Sequence, residues 1–230
     1  MTSQTATSFL KSESHLAHQI VEICRRLHQR NLLAAADGNV SARFTNEQGE
    51  DCIWITPSGV VKGFMSVEQM AVLNMEGEVL AGKPSSESLM HLQIYRTCSQ
   101  AQAVVHAHPP TAIAWTIAQP HLEKLPSECL SEVILATGEI PFVPYARPGT
   151  ADMGNVLKPY LPHSRALILR RHGAVTWGND LEEAYRGMER IEHSAQILAT
   201  AQQLGGLHPL PAEEIHYLKE LRKKIGDILL

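Results

Sequence analysis

Three of the twelve histidines in this chain sit where they could share one ion. His106 and His108 flank Ala107 in the apolar run AVVHAH (103–108). On a strand, side chains at i and i+2 leave the same face about 6.6 Å apart along the axis, so two such imidazoles can converge on a cation. Alone, the pair fits equally well two polar residues at a strand end before the Pro109-Pro110 loop, and those prolines exclude an HxHxDH pattern. His172 adds a third nitrogen between an apolar run and Gly173, where strand ends of α/β folds present ligands. Three histidines with one open position form the donor set of a catalytic zinc ion, which can polarise a substrate oxygen.

Pro84-Ser85-Ser86-Glu87 brings a carboxylate and two hydroxyls to a helix start. Either a serine caps the helix while Glu87 complements its dipole, or the helix N-terminus holds a phosphate with Glu87 beside it as acid/base. Gly38-Asn39 and Thr56-Pro57-Ser58-Gly59 offer hydroxyls and backbone N–H groups suited to an oxyanion nest, or are plain turns. His91 lies four residues after Glu87 on the same helix face, either to orient it or to pack as a helix histidine.

Rigid strand ends and helix starts must hold these groups, and the patterning predicts both. Leu16, Ile20, Ile23, Cys24 and Leu27 recur at helical spacing after a Ser12 or Ser14 cap. Segments 39–44 and 51–56 alternate as a hairpin, and 70–80 reads as a second one turning at Glu76-Gly77. Helices are expected over 85–98, 111–118 and 127–135, strands at 103–108, 165–170 and 174–177, and an extended run over 140–146. Asp180 with Glu183 has the form of a capping box opening a long helix that stops at Gly205, and a last amphipathic helix covers 212–225 after Pro211. Residues 1–11 are expected as a flexible tail and 12–230 as a single domain of the α/β class.

Composition narrows the function classes. The chain of 230 residues is 44% hydrophobic and 19% charged with a formal net charge of −4, as expected of a globular protein with a sizeable core. Its longest basic block is Arg222-Lys223-Lys224, so neither a nucleic-acid partner nor a membrane surface is expected. Cys24, Cys52, Cys98 and Cys129 form no CxxC, which fits reduced thiols in a cytoplasm.

Taken together, GNVSAR (38–43), ITPSG (55–59), KPSSESLMH (83–91), AVVHAHPP (103–110), PYARPGT (144–150) and RRHGAVTWG (170–178) resemble the class II aldolase/adducin family, collinearly over about residues 14–205. The family includes fuculose- and rhamnulose-phosphate aldolases, ribulose-phosphate 4-epimerase and methylthioribulose-phosphate dehydratase. The resemblance implies a three-layer α/β/α sandwich around a mainly antiparallel sheet. It makes His106, His108 and His172 the ligands of one Zn²⁺ per chain, or of another divalent transition metal. It makes Glu87 the acid/base, and Gly38, Asn39, Thr56, Ser58, Gly59, Ser85 and Ser86 a substrate-phosphate cradle. It also implies a homotetramer with active sites between subunits.

The activity this implies is zinc-dependent cleavage of a ketose 1-phosphate to dihydroxyacetone phosphate and an aldehyde, the metal stabilising the enediolate so that no Schiff-base lysine is needed. Dehydration of methylthioribulose 1-phosphate is the first alternative, followed by decarboxylation of a 3-oxo sugar-acid phosphate and 4-epimerisation. The tyrosine that fuculose-phosphate aldolase takes from a neighbouring subunit has no counterpart, since no tyrosine lies between Tyr95 and Tyr145. Glu128, Glu132 or Tyr217 could supply a second acid/base, or could be ordinary helix residues. A scaffold role like that of adducin heads, which lack the zinc histidines, ranks last because all three are present here.

Overall fold

Period-two alternation in NVSARFT and DCIWI sends every second side chain to one face, and that parity organises the molecule. The computed structural model describes residues 6–161, 163–226 and 228–230, with side chains from residue 15 onward. Helix α1 (Ala6–Gln29) leads into β1 (Asn39–Thr45), β2 (Asp51–Ile55), β3 (Ala71–Asn74) and β4 (Val79–Ala81). After these come α2 (Ser88–Thr97), β5 (Ala103–Ala107), α3 (Pro110–Ala118), α4 (Ser131–Ala136), β6 (Phe142–Val143) and α5 (Asp152–Asn155). The chain closes with β7 (Ala166–Leu169), β8 (Gly173–Gly178), α6 (Leu181–Leu204) and α7 (Ala212–Ile225).

The strands form one sheet in the order β4-β3-β2-β1-β5-β8-β7-β6. Every neighbouring pair is antiparallel except β6 with β7, which is parallel, so the sheet is mixed but mainly antiparallel. Helices cover both faces and make a three-layer α/β/α sandwich. On one face Val40, Ala42, Trp54, Val105 and Ala174 pack with the apolar stripes of α1 and α6, including Ile20, Leu27, Met188 and Ile191. On the other, Ile53, Ile55, Val104, Val175 and Trp177 pack with Met90, Leu92 and Ile94 of α2 and Met153 of α5. Each large side chain buried this way contributes about 1.5–3 kcal/mol.

The same parity places the polar residues. Asn39 pairs with His106 and Ser41 with Val104 across the β1–β5 ladder, so Asn39, Ser41 and His106 all share the α2 face with Val104. Main-chain pairing therefore brings the imidazole of His106 under the start of α2.

Several expectations need correction. Helix α1 begins at Ala6, upstream of Ser12 and Ser14, because no Gly or Pro occurs before Gly38 and a helix once nucleated propagates through small polar residues. It takes in residues 6–11, while the rest of the expected tail, 1–5, lies outside the described residues. The helix expected over 127–135 is broken into a 3-10 turn (Ser127–Cys129) and α4, with Leu130 extended between them. The Glu128 carbonyl there accepts from Leu210 N–H instead of from within a helix. The capping box at α6 is half formed: Asp180 Oδ1 accepts from Glu183 N–H at 2.7 Å, but the Glu183 carboxylate takes Asn179 N–H, Leu229 N–H and Arg165. Of the extended run 140–146 only Phe142–Val143 pairs as a strand. No helix among the described residues is long and apolar enough to cross a membrane.

Candidate metal centre

β5 delivers His106 and His108 from one strand end, and the turn between β7 and β8 delivers His172. That turn is sharp: Arg171 adopts a left-handed φ of 57°, and Gly173 follows where a Cβ would stand 2.6 Å from Ala107 O and 2.8 Å from His106 Cε1 and His108 Cδ2. Only glycine lets the turn close against β5. Gly38 plays the same part below, at φ 69°, where a Cβ would meet His106 O at 2.8 Å.

The three rings lie 5.0–5.1 Å apart between centroids, with interplanar angles of 67–69°, close to three-fold symmetry about one point. One nitrogen from each lies within 4.8 Å of the others. His106 Nδ1 donates to Ala174 O at 2.8 Å, which leaves Nε2 as the nitrogen turned inward. His106 Nε2 and His108 Nε2 are 3.2 Å apart. A tetrahedral zinc with bonds of about 2.0–2.1 Å requires ligand nitrogens about 3.3–3.4 Å apart, so the spacing and donor types fit such an ion. Asp37 Oδ2 lies 3.6 Å from His108 Nδ1, on the outer side of that ring. Burial, with the neighbouring imidazoles, pushes His108 down to about 3, which keeps it in the neutral form a metal needs.

Glu87 occupies the residue before α2 and does not cap it, which leaves its carboxylate free to face the rings. Oε2 lies 3.2 Å from His106 Nε2 and Oε1 lies 3.3 Å from His172 Nε2. Burial pushes this carboxyl up, but contacts with His106 and His172 and the hydrogen bond from Asn39 outweigh it, holding Glu87 well below the usual carboxylate range. A carboxylate and three imidazoles thus enclose one point, with Glu87 able to ligate or to move protons beside a ligand.

The loops read as a phosphate cradle meet on the same side. Pro57 bridges Pro84, Ser58 N–H donates to Lys83 O, and Ser85 N–H donates to Thr56 O. Thr56 Oγ1 accepts from Val40 N–H, Ser58 is half-buried, and Gly59, at φ 73°, is exposed. Ser86 is exposed beside Gly149, at whose position a Cβ would lie 3.9 Å from Ser86 Oγ. The Asn39 side chain bonds inward, donating from Nδ2 to Ser85 Oγ at 3.0 Å and to Glu87 Oε2 at 2.8 Å. Behind it stand Ser41, His91 and Tyr95, of which sequence patterning singled out only His91. Burial pushes His91 down to about 3. Asp37 carries no signal in the sequence beyond the Asp-Gly-Asn turn.

The weaker candidates lie apart from the rings. Glu128 pairs with Lys219 at 2.7 Å in a cavity of about 590 Å³ between α4 and α7, and Glu132 and Tyr217 are exposed. The four cysteines form no disulfide with one another, and Cys24, Cys52 and Cys98 are buried.

Residues 18–199 match the family described as Class II Aldolase and Adducin N-terminal domain. The chain is 34% identical over 185 residues to an L-fuculose phosphate aldolase of Methanococcus maripaludis, covering 80% of this chain and 96% of that protein. It is 31% identical over 198 residues to a 3-oxo-tetronate 4-phosphate decarboxylase of Escherichia coli O6:H1, covering 84% and 90%. Among solved structures, YgbL of Escherichia coli superposes with a TM-score of 0.82 at 28% identity, covering 90% of this chain and 99% of that one.

Proposed function

The chain belongs to the class II aldolase and adducin family, and from that premise we propose that it is a zinc-dependent aldolase cleaving a ketose 1-phosphate to dihydroxyacetone phosphate and an aldehyde. The observation that carries this reading is Glu87, whose two carboxylate oxygens lie 3.2 and 3.3 Å from the inward nitrogens of His106 and His172. A proton-transfer group and a metal ligand set there act on the same few atoms of a substrate.

His106, His108 and His172 would hold the ion, which when bound supplies Lewis-acid polarisation of the substrate carbonyl. Gly38, Asn39, Thr56, Ser58, Gly59, Ser85 and Ser86 form the phosphate cradle. The Ser58 and Ser85 N–H groups and the Asn39 amide hold the loops in shape, while exposed Gly59 and Ser86 and half-buried Ser58 are open to the phosphate and fix the sugar's reach into the site. The Glu87 carboxylate takes the C4 hydroxyl proton as the C3–C4 bond breaks. The electron pair of that bond passes to C3, adjacent to the carbonyl, and Glu87 returns the proton to C3. The aldehyde leaves, and proton and electron counts close on one residue. The resemblance in sequence supports a homotetramer with sites between subunits, working in the cytoplasm.

Decarboxylation is the second reading, favoured by the decarboxylase relatives and by the missing tyrosine between Tyr95 and Tyr145. Loss of carbon dioxide from a 3-oxo acid phosphate leaves the same kind of electron pair beside a carbonyl, and Glu87 would protonate that carbon.

Incubating the metal-loaded protein with fuculose, deoxyribulose and methylthioribulose 1-phosphates, with and without chelator, tests the assignment. Chelator-sensitive release of dihydroxyacetone phosphate is the expected result. Carbon dioxide from 3-oxo-tetronate 4-phosphate, with no triose phosphate from any ketose, would replace cleavage by decarboxylation.

A further inference from the structure

The donors and acceptors behind Glu87 have only one consistent direction. A carboxylate only accepts, so the Asn39 atom 2.8 Å from Glu87 Oε2 is the amide nitrogen. Asn39 Oδ1 then faces His91 Nε2 at 2.5 Å and must accept, so His91 carries its proton on Nε2. In the neutral ring Nδ1 is left with a lone pair, and the Ser41 hydroxyl 2.6 Å away donates to it. Ser41 Oγ in turn accepts from the Tyr95 hydroxyl at 2.8 Å. Each of Ser41, His91 and Tyr95 is at most 1% exposed. Every proton along this line points toward Glu87.

We propose that His91, Ser41 and Tyr95 are positioning residues for the reaction: a one-way donor chain that locks the Asn39 amide, engages Glu87 Oε2 and leaves Oε1 as the oxygen that exchanges a proton with substrate. This inference rests on the reading of Glu87 as the acid/base. A buried histidine among Met90, Leu92 and Ile94 has no packing advantage over an apolar residue, and its two nitrogens are both used along the line. If Ser41 is removed, His91 Nδ1 loses its donor. The ring can then take the Nδ1–H tautomer, Asn39 turns over, and its carbonyl meets the carboxylate of Glu87.

The test uses metal-loaded protein labelled with ¹⁵N-histidine and the ketose 1-phosphate that the wild type turns over fastest. Long-range ¹H–¹⁵N correlation should show the Nε2–H tautomer at His91, and Ser41→Ala should introduce the Nδ1–H form. Ser41→Ala should lower kcat by roughly tenfold or more while leaving KM and bound metal unchanged. Tyr95→Phe should lower it in the same sense with a smaller factor. In a Glu87→Gln background Ser41→Ala should cost nothing further, whereas a merely structural role would cost the same factor again. An Nδ1–H tautomer in the wild type, an unchanged kcat in Ser41→Ala, or equal losses in both backgrounds overturns the proposal. A wild type that turns over no ketose phosphate would overturn the assigned reaction, and the tautomer measurement would still decide the chain.

Discussion

Asn39 at the head of β1 stands directly opposite His106 on β5, so the amide that holds Glu87 and the imidazole of His106 are set side by side by sheet pairing. Loop conformation plays no part in that spacing. Glu87 reaches the same point from α2, and its geometry inherits the rigidity of the ladder beneath.

Removing a ligand tests the centre itself. His106→Ala should fold with normal far-ultraviolet dichroism and lose stoichiometric zinc, measured by elemental analysis of dialysed protein. One ion per chain retained in this variant would remove His106 from the ligand set.

Glu87→Gln preserves size and a possible hydrogen-bond partner but removes the proton acceptor. Bound metal should stay stoichiometric while kcat falls by roughly 10²–10⁴-fold, the range expected for loss of a general acid/base. Turnover close to wild type would show that the proton moves through another group.

Gly173→Ala places a methyl against Ala107 O and the rings of His106 and His108, at 2.6–2.8 Å. The turn must open to admit it. Thermal melts should show a loss of about 1–3 kcal/mol, and zinc competition titrations should show weaker binding. Unchanged metal affinity would mean that the β7–β8 turn does not set the distance between His172 and β5.

His91 makes the metal-free protein sensitive to acid. Its folded value lies near 3 against 6.5 in an ordinary histidine, because burial disfavours the imidazolium. Between these values the unfolded chain binds the extra proton and the native one does not. Stability is therefore full above about pH 6.5 and falls as the pH drops toward 3. From pH 6.5 to 5 this single group removes about 1–2 kcal/mol. Urea unfolding of metal-free wild type and His91→Gln at both pH values checks it, and the variant should show a flatter dependence.

Much of this site is legible in the chain because its chemistry is local. His106 and His108 are two residues apart on a short apolar strand, and Glu87 sits in a helix-start pattern. The hairpins follow from alternation and Gly-containing turns. What could not be read depends on contacts distant in sequence. Ser41 is an unremarked small residue in a strand, and Tyr95 an ordinary residue of a helix, until α2 packs on β1 and brings them within 2.8 Å. The break at Leu130 reflects a backbone bond between Glu128 and Leu210 that no local pattern encodes. The start of α1 is illegible for the opposite reason: nothing local stops the helix.

The sheet order has a consequence for how the chain reaches its active form. β5 lies between β1 and β8, partners far from it in sequence, and the His172 turn opens β8. A slip of one residue in β5 would carry His106 to the opposite face, among the side chains of α1 and α6. Only the correct alignment assembles all three nitrogens. An ion held by the three would act as a proofreader of strand register: it would withhold its binding energy from misaligned chains and add it to the one that is paired correctly.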